Sequence, residues 1–241
     1  MNYKLIAILT IIFIGIGLSI SLIYSSTFEI SSFSIKGNKV LSEKTIIKSI
    51  KQYKNKNIIL VDPEKIRENL KKKENYIKDI TIRKIYPNKL EIIINERKPL
   101  AKIKNDDKIL LFDKEGYILE KSNAEIEINV PLIKGVGYSF ANNKIIFTPP
   151  FKKLVKQLED LQLALIKDLN LIQYKKLPNN KYKIESLILN NEIKVKLGEV
   201  ENMSKKFSIL EATILRIKKE NLAIEYINLE YPDKPVYKTK N

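Results

Sequence analysis

The chain has 241 residues, 44 Lys and Arg against 28 Asp and Glu, a formal net charge of +16, and neither Cys nor His. That excludes disulfides, thiol nucleophiles, imidazole bases and nearly every donor set that holds zinc or copper. The charge invites a nucleic-acid reading, yet only Arg67, Arg83, Arg97 and Arg216 carry the guanidinium suited to bidentate phosphate and base contacts. The Lys are scattered among abundant Ile and Asn, which a coding bias explains more simply.

The first element is "LIAILTIIFIGIGLSISLIY", Leu5 to Tyr24, which contains no charge. About 20 apolar residues at about 1.5 Å rise span a hydrocarbon core of about 30 Å. The reading is a single transmembrane anchor over 5–25, marked by Leu5, Ile12, Leu18 and Tyr24. Residues 1–4 form a short cytoplasmic tail in which Lys4 and the terminal amine give a weak positive-inside cue. The run exceeds the about 7–15 residues of a signal-peptide core, and Ser19, Ser21 and Ser25 make a poor cleavage signal.

Residues 28–98 then read as strand, helix, helix, strand, strand. "ISSFSI" is a strand ending at Lys36, and Gly37-Asn38 is a turn where positive φ is inexpensive. Ser42 caps a helix with Ile46, Ile47 and Ile50 on one face. A second helix opens with Asp62 as cap, Pro63 in the first turn and Glu64 at the positive end of its dipole, with Ile66 and Leu70 four apart. Ile80 and Ile82 alternate with polar residues before Pro87-Asn88, and Leu90, Ile92 and Ile94 alternate after it. That is a hairpin with one buried face.

Residues 99–241 are a second α+β segment. "ILLFDKEGYIL" predicts a hairpin turning over Asp113 to Gly116. Leu154, Leu158, Leu161, Leu165 and Leu169 predict a helix over 151–169. Strands are expected at 171–176, 181–189 and 192–197, with Asn190-Asn191 as a turn. A helix over 204–219 carries Phe207, Leu210, Ile214 and Ile217. A last strand and a Pro-rich turn close the chain, and a late strand with an unpaired edge can accept another chain.

Catalytic constellations are missing. The acidic pairs Asp106-Asp107 and Asp113/Glu115 sit among turn formers and read as solvated turn residues. No Gly-rich phosphate loop, nucleophile elbow or Ser-x-x-Lys motif occurs. The chain is expected not to be an enzyme and to need no cofactor or metal.

A βααββ module directly after an N-terminal anchor resembles the POTRA domain of the FtsQ/DivIB family of bacterial division proteins. The residues that carry the resemblance are "FSIKGNKVLSEKTI", "NIILVDPEKIRENL" and "IRKIYPNKLEIIINERKPLAKI", with Gly37, Asn38, Asp62, Pro63 and Pro87 as structural positions. Glu96, Arg97 and Pro99 match that family's E-R-x-P-x-A exit, and "VPLIKG" resembles its L-P-x-L-x-G segment, with Val130 in the place of Leu. The resemblance implies an anchor, a POTRA domain and a β-domain whose sheet is backed by helices. It also implies a non-enzymatic scaffold in the cell membrane at the division septum, its bulk extracytoplasmic. FtsB-like and FtsL-like bitopic partners would dock at the β-domain end, on Leu229, Glu230, Tyr231, Val236 and Tyr237, and other division components on the POTRA domain. Leu229 and Tyr231 match the family's D-L-R-Y element, while Asn228 and Glu230 do not, and Glu230 reverses the expected sign. Two alternatives from other classes are a POTRA-bearing accessory of translocation or envelope assembly, and a membrane-tethered binder of nucleic acid or anionic polymer. A nucleic-acid partner is not expected.

Overall fold

The computed structural model describes residues 3–159, 168–179, 181–190 and 192–240. The chain divides into two compact units, Met1–Arg97 and Lys98–Asn241.

The first unit opens with α1 (Tyr3–Tyr24), a helix of 22 residues along which Leu5, Ile12, Leu18 and Tyr24 are exposed. Among the described residues no helix is long and apolar enough to cross a membrane. The side chains of Ser19, Leu22 and Ile23, inside the uncharged run, lie outside that description. The expected span over 5–25 is therefore met by a helix, not by a demonstrated crossing. A short 3-10 turn over Ser26–Phe28 leads straight into the folded module.

That module is β1 (Ser32–Lys36), α2 (Glu43–Ile50), α3 (Pro63–Lys73), β2 (Ile77–Ile85) and β3 (Lys89–Glu96). The order in its sheet is β1-β3-β2, with β1 parallel and β2 antiparallel to β3. Both helix starts form as their caps predict. Ser42 Oγ accepts from the Thr45 amide at 3.1 Å, and Asp62 Oδ1 accepts from the Glu64 amide at 2.9 Å. The i, i+4 pairs Ile46/Ile50 and Ile66/Leu70 are fully buried. They pack with Ile80, Leu90, Ile92 and Ile94 from one face of the sheet. Register puts Ile80 opposite Ile94 and Ile82 opposite Ile92, so the alternation of both strands meets on that face. The Tyr86-Pro87 peptide in the intervening turn is cis.

The second unit is built on a ten-stranded sheet. Its strands in chain order are β4 (Pro99–Asn105), β5 (Lys108–Asp113), β6 (Ile118–Ser122), β7 (Leu132–Lys134), β10 (Leu169–Lys176), β11 (Tyr182–Leu189), β12 (Ile193–Lys196), β13 (Gly198–Glu199), β14 (Ile224–Asn228) and β15 (Val236–Thr239). The order across the sheet is β15-β14-β12-β11-β10-β7-β4-β5-β6, and β13 pairs with β11. A separate hairpin, β8 (Tyr138–Ala141) and β9 (Lys144–Phe147), lies beside β6, where the Ile118 amide donates to Asn143 O at 3.1 Å. Helices α4 (Pro149–Glu159) and α5 (Met203–Glu220) contribute Phe151, Leu154, Leu158, Phe207, Leu210 and Ile214 to the core.

Three expectations change here. Leu169 is not the end of a helix. It begins β10, opposite Leu189, and α4 is described only to Glu159, so Leu161 and Leu165 lie outside the described residues. Asp113 is not a solvated turn residue, because only 3% of it is exposed and its carboxylate accepts from the amides of Glu115 and Tyr117 at 2.9 and 2.8 Å. It organises the β5–β6 turn, whose Gly116 has φ +85. The last predicted strand also does not end the sheet, since β15 pairs with it.

Candidate partner-docking surface

The C-terminal end of the sheet is a hairpin. β14 runs parallel to β12 on one side and antiparallel to β15 on the other, with Ile227 opposite Tyr237 and Asn228 opposite Val236. Both edges of β14 are thus occupied, and the terminal edge belongs to β15. The Lys240 amide donates to Ala223 O at 2.7 Å, across to the β14 side. Amides alternate in direction along a strand, so those of Lys238 and Val236 face β14 while those of Tyr237 and Thr239 point outward. Among the described residues no strand pairs with that outer edge.

The expected docking residues separate. Tyr231 and Val236 are 75% and 54% exposed, and Tyr237 is half-buried against the core of the unit. Leu229 is fully buried, and its amide donates to Lys196 O at 2.8 Å. A partner cannot reach that side chain, so Leu229 is a core residue and not a contact. It lies two residues after buried Ile227, on the same side of the chain.

Glu230 is exposed, its amide donating to Asn228 Oδ1 at 3.0 Å. Its reversed sign has an intrachain reason. Lys206 of α5 is buried, donating to Leu197 O at 2.6 Å and Glu199 O at 3.0 Å. Burial pushes the Lys206 ammonium below the usual lysine range, while Glu201, Glu230 and Glu199 act the other way. Glu230 also lies over Gly198, where an added Cβ would come within 3.1 Å of Glu230 Cγ. An acidic residue there supports a buried cation that a basic one would oppose. Lys205 pairs with Asp233 in the β14–β15 turn, fixing that turn to the same helix.

The surface of the hairpin is basic and aromatic. Lys238 pairs with Glu225 at 2.7 Å, which raises the Lys238 ammonium, and Lys196 lies 5.6 Å from the centre of the Tyr226 ring. Lys on an exposed edge discourages pairing with a second copy of the same edge.

In the first unit the motif residues are structural. Gly37 has φ +82, and a Cβ there would meet Ile94 O at 2.2 Å. Asn38 Nδ2 donates to Leu41 O at 2.9 Å. The Glu96 carboxylate accepts from three successive amides, those of Lys39, Val40 and Leu41, at 3.0, 2.8 and 2.9 Å. Charge-assisted bonds of this kind hold the β1–α2 loop to the end of β3. The Arg97 amide donates to Tyr76 O at 2.7 Å, and Pro99 begins β4.

Sequence reasoning missed β15 and the β8–β9 hairpin. The signals were there: "PDKPVYKT" is a turn followed by alternating β-formers, and "YSFANNKIIF" is two such runs around Asn-Asn. No groups of three or more acidic residues able to hold a metal occur among the described residues.

Residues 28–97 match the POTRA domain of FtsQ type, and residues 101–230 match the C-terminal domain of the cell division protein FtsQ/DivIB. Cell division protein DivIB of Clostridium botulinum strain Loch Maree is 30% identical over 213 residues, covering 87% of this chain and 81% of that one. DivIB of Clostridium acetobutylicum is 30% identical over 145 residues, 60% of this chain and 57% of that one. Among solved structures, the major extracytoplasmic domain of the trans isomer of DivIB from Geobacillus stearothermophilus aligns over 52% of this chain and 97% of that chain. Its TM-score is 0.37 and its identity 15%. The chain belongs to the FtsQ/DivIB family of non-enzymatic bacterial cell division proteins.

Proposed function

We propose that this chain is a membrane-tethered scaffold of the division machinery, working by binding alone. In this reading residues 1–4 are a cytoplasmic tail and 5–25 the anchor. Residues 28–98 and 99–241 are the two extracytoplasmic domains, held at the division septum. The uncharged run from Leu5 and the exposed apolar side chains of α1 support the anchor. The β-domain binds FtsB-like and FtsL-like bitopic partners, and the POTRA domain meets other division components.

The observation that supports the reading most is the outer edge of β15, with which no strand pairs among the described residues. Outward amides at Tyr237 and Thr239 offer hydrogen bonds to an added strand, while exposed Tyr231 and Val236 offer contact area beside it. Lys234 is exposed in the turn before β15, whereas Lys238 and Lys240 are already paired with Glu225 and Glu192 at 2.7 and 3.1 Å. Thr239→Pro removes an outward donor without touching a β14 bond, and edge strands tolerate Pro. Co-purification of the partners should fall with Thr239→Pro and with Tyr231→Ala while circular dichroism stays unchanged. Full partner recovery by both variants would refute the reading.

A further inference from the structure

The first unit has two distinct ends, set by strand direction. β1 and β3 run parallel, so Ser32 and Lys89 lie at one end and Lys36 and Ile93 near the other, and the β2–β3 turn returns to the first. The chain enters at that first end, a few residues after α1. There Ile58 donates to Phe28 O at 2.8 Å, Ile30 to Lys56 O at 2.9 Å, and Ser31 to Asn88 O at 2.9 Å. Lys84 Nζ donates to Ile59 O at 2.9 Å. Three segments, 28–31, 54–60 and 84–89, are thereby tied into one surface at the point of entry.

Its composition is unlike a soluble cap. Leu60, Tyr86, Ile85 and Ile59 are all exposed, at 64%, 59%, 43% and 37%. Lys54, Lys56 and Lys89 stand exposed among them. Glu29, Asp62 and Glu64 share this end. Asp62 is committed to the α3 cap, and Glu64 pairs with Arg67 at 3.0 Å. Aliphatic and aromatic side chains ringed by lysine are what a headgroup layer accommodates.

We propose that this entry end is a lipid-contacting surface, with Leu60 and Tyr86 set into the headgroup layer and Lys54, Lys56 and Lys89 on anionic phosphates. It rests on the anchor reading, because α1 brings this end, and not the Gly37–Glu96 end, to the bilayer. The surface would hold the module against the membrane and fix the direction in which the chain continues.

The chain has no Trp, so Leu60→Trp and Tyr86→Trp each install a single reporter, and Leu215→Trp, exposed on α5, is the control. The full chain is reconstituted into phosphatidylcholine vesicles with or without phosphatidylglycerol, and quenching by bromine-labelled lipid is read after flotation. The expected result is flotation with both lipids, and strong quenching at positions 60 and 86 but not 215 when anionic lipid is present. Lys56→Gln should lower the docked-to-free ratio by roughly fivefold, the worth of one lysine at an anionic surface. Flotation with no more quenching at 60 and 86 than at 215 overturns the surface and leaves the anchor standing. Failure to float overturns both.

Discussion

Glu96 offers the sharpest test of how the first unit is held together. Its two carboxylate oxygens share three amides, with Lys39 and Val40 on Oε2 and Leu41 on Oε1. Lys39 and Val40 are exposed, so water takes over much of their bonding once the carboxylate is gone, whereas Leu41 is half-buried. A half-buried amide left without its partner costs about 1–3 kcal/mol, and each exposed one about 0.5–1 kcal/mol. Glu96→Ala should therefore destabilise the unit by about 2–5 kcal/mol. Glu96→Gln keeps one acceptor oxygen and turns an NH₂ toward the remaining donors, so it should lose about half as much. Amide hydrogen exchange is the right assay, because the chain has two units and one melting curve does not separate them. Protection of the Leu41 amide should drop by at least about 30-fold in Glu96→Ala, the equivalent of 2 kcal/mol. Protection unchanged in both variants would refute the clamp.

Gly37→Ala should cost at least about 2 kcal/mol, since the new Cβ meets the Ile94 carbonyl oxygen and φ is positive. Loss of protection across the first unit, with the second unaffected, is the readout. Tyr174 is buried and its hydroxyl has no hydrogen-bond partner among the described residues, so Tyr174→Phe should stabilise the second unit by about 1 kcal/mol, read by urea denaturation. Burial, with help from Tyr182, pushes the Tyr174 phenol up to about 12. Its folded value therefore exceeds the unfolded one of about 10. The phenol's contribution is intact below about pH 10 and lost as pH rises through about 12, and Tyr174→Phe should flatten that alkaline loss.

The first unit was legible because its signals are local. Ser42 and Asp62 cap helices within three residues, and Ile46/Ile50 and Ile66/Leu70 declare buried faces by spacing alone. The clamp on residues 39–41 was not legible, because it joins Glu96 to amides more than fifty positions earlier in the chain. In the second unit a helical period that ran on to Leu169 concealed a strand whose partner, Leu189, is distant in sequence. Leu229 was misread as a contact because similarity to a docking element outweighed its position two residues after Ile227, which places it in the core. The effect of Glu230 on the buried Lys206, which it shares with Glu201 and Glu199, joins two elements and has no local signal in the sequence.

In the proposed function a partner strand adds to the outer edge of β15. Hydrogen exchange of the full chain, free and with its FtsB-like and FtsL-like partners bound, tests it most directly. The outward amides of Tyr237 and Thr239 should exchange freely alone and become strongly protected in the complex, with those of Val236 and Lys238 already protected in both. Unchanged exchange at Tyr237 and Thr239 in a complex verified to be intact would contradict the account.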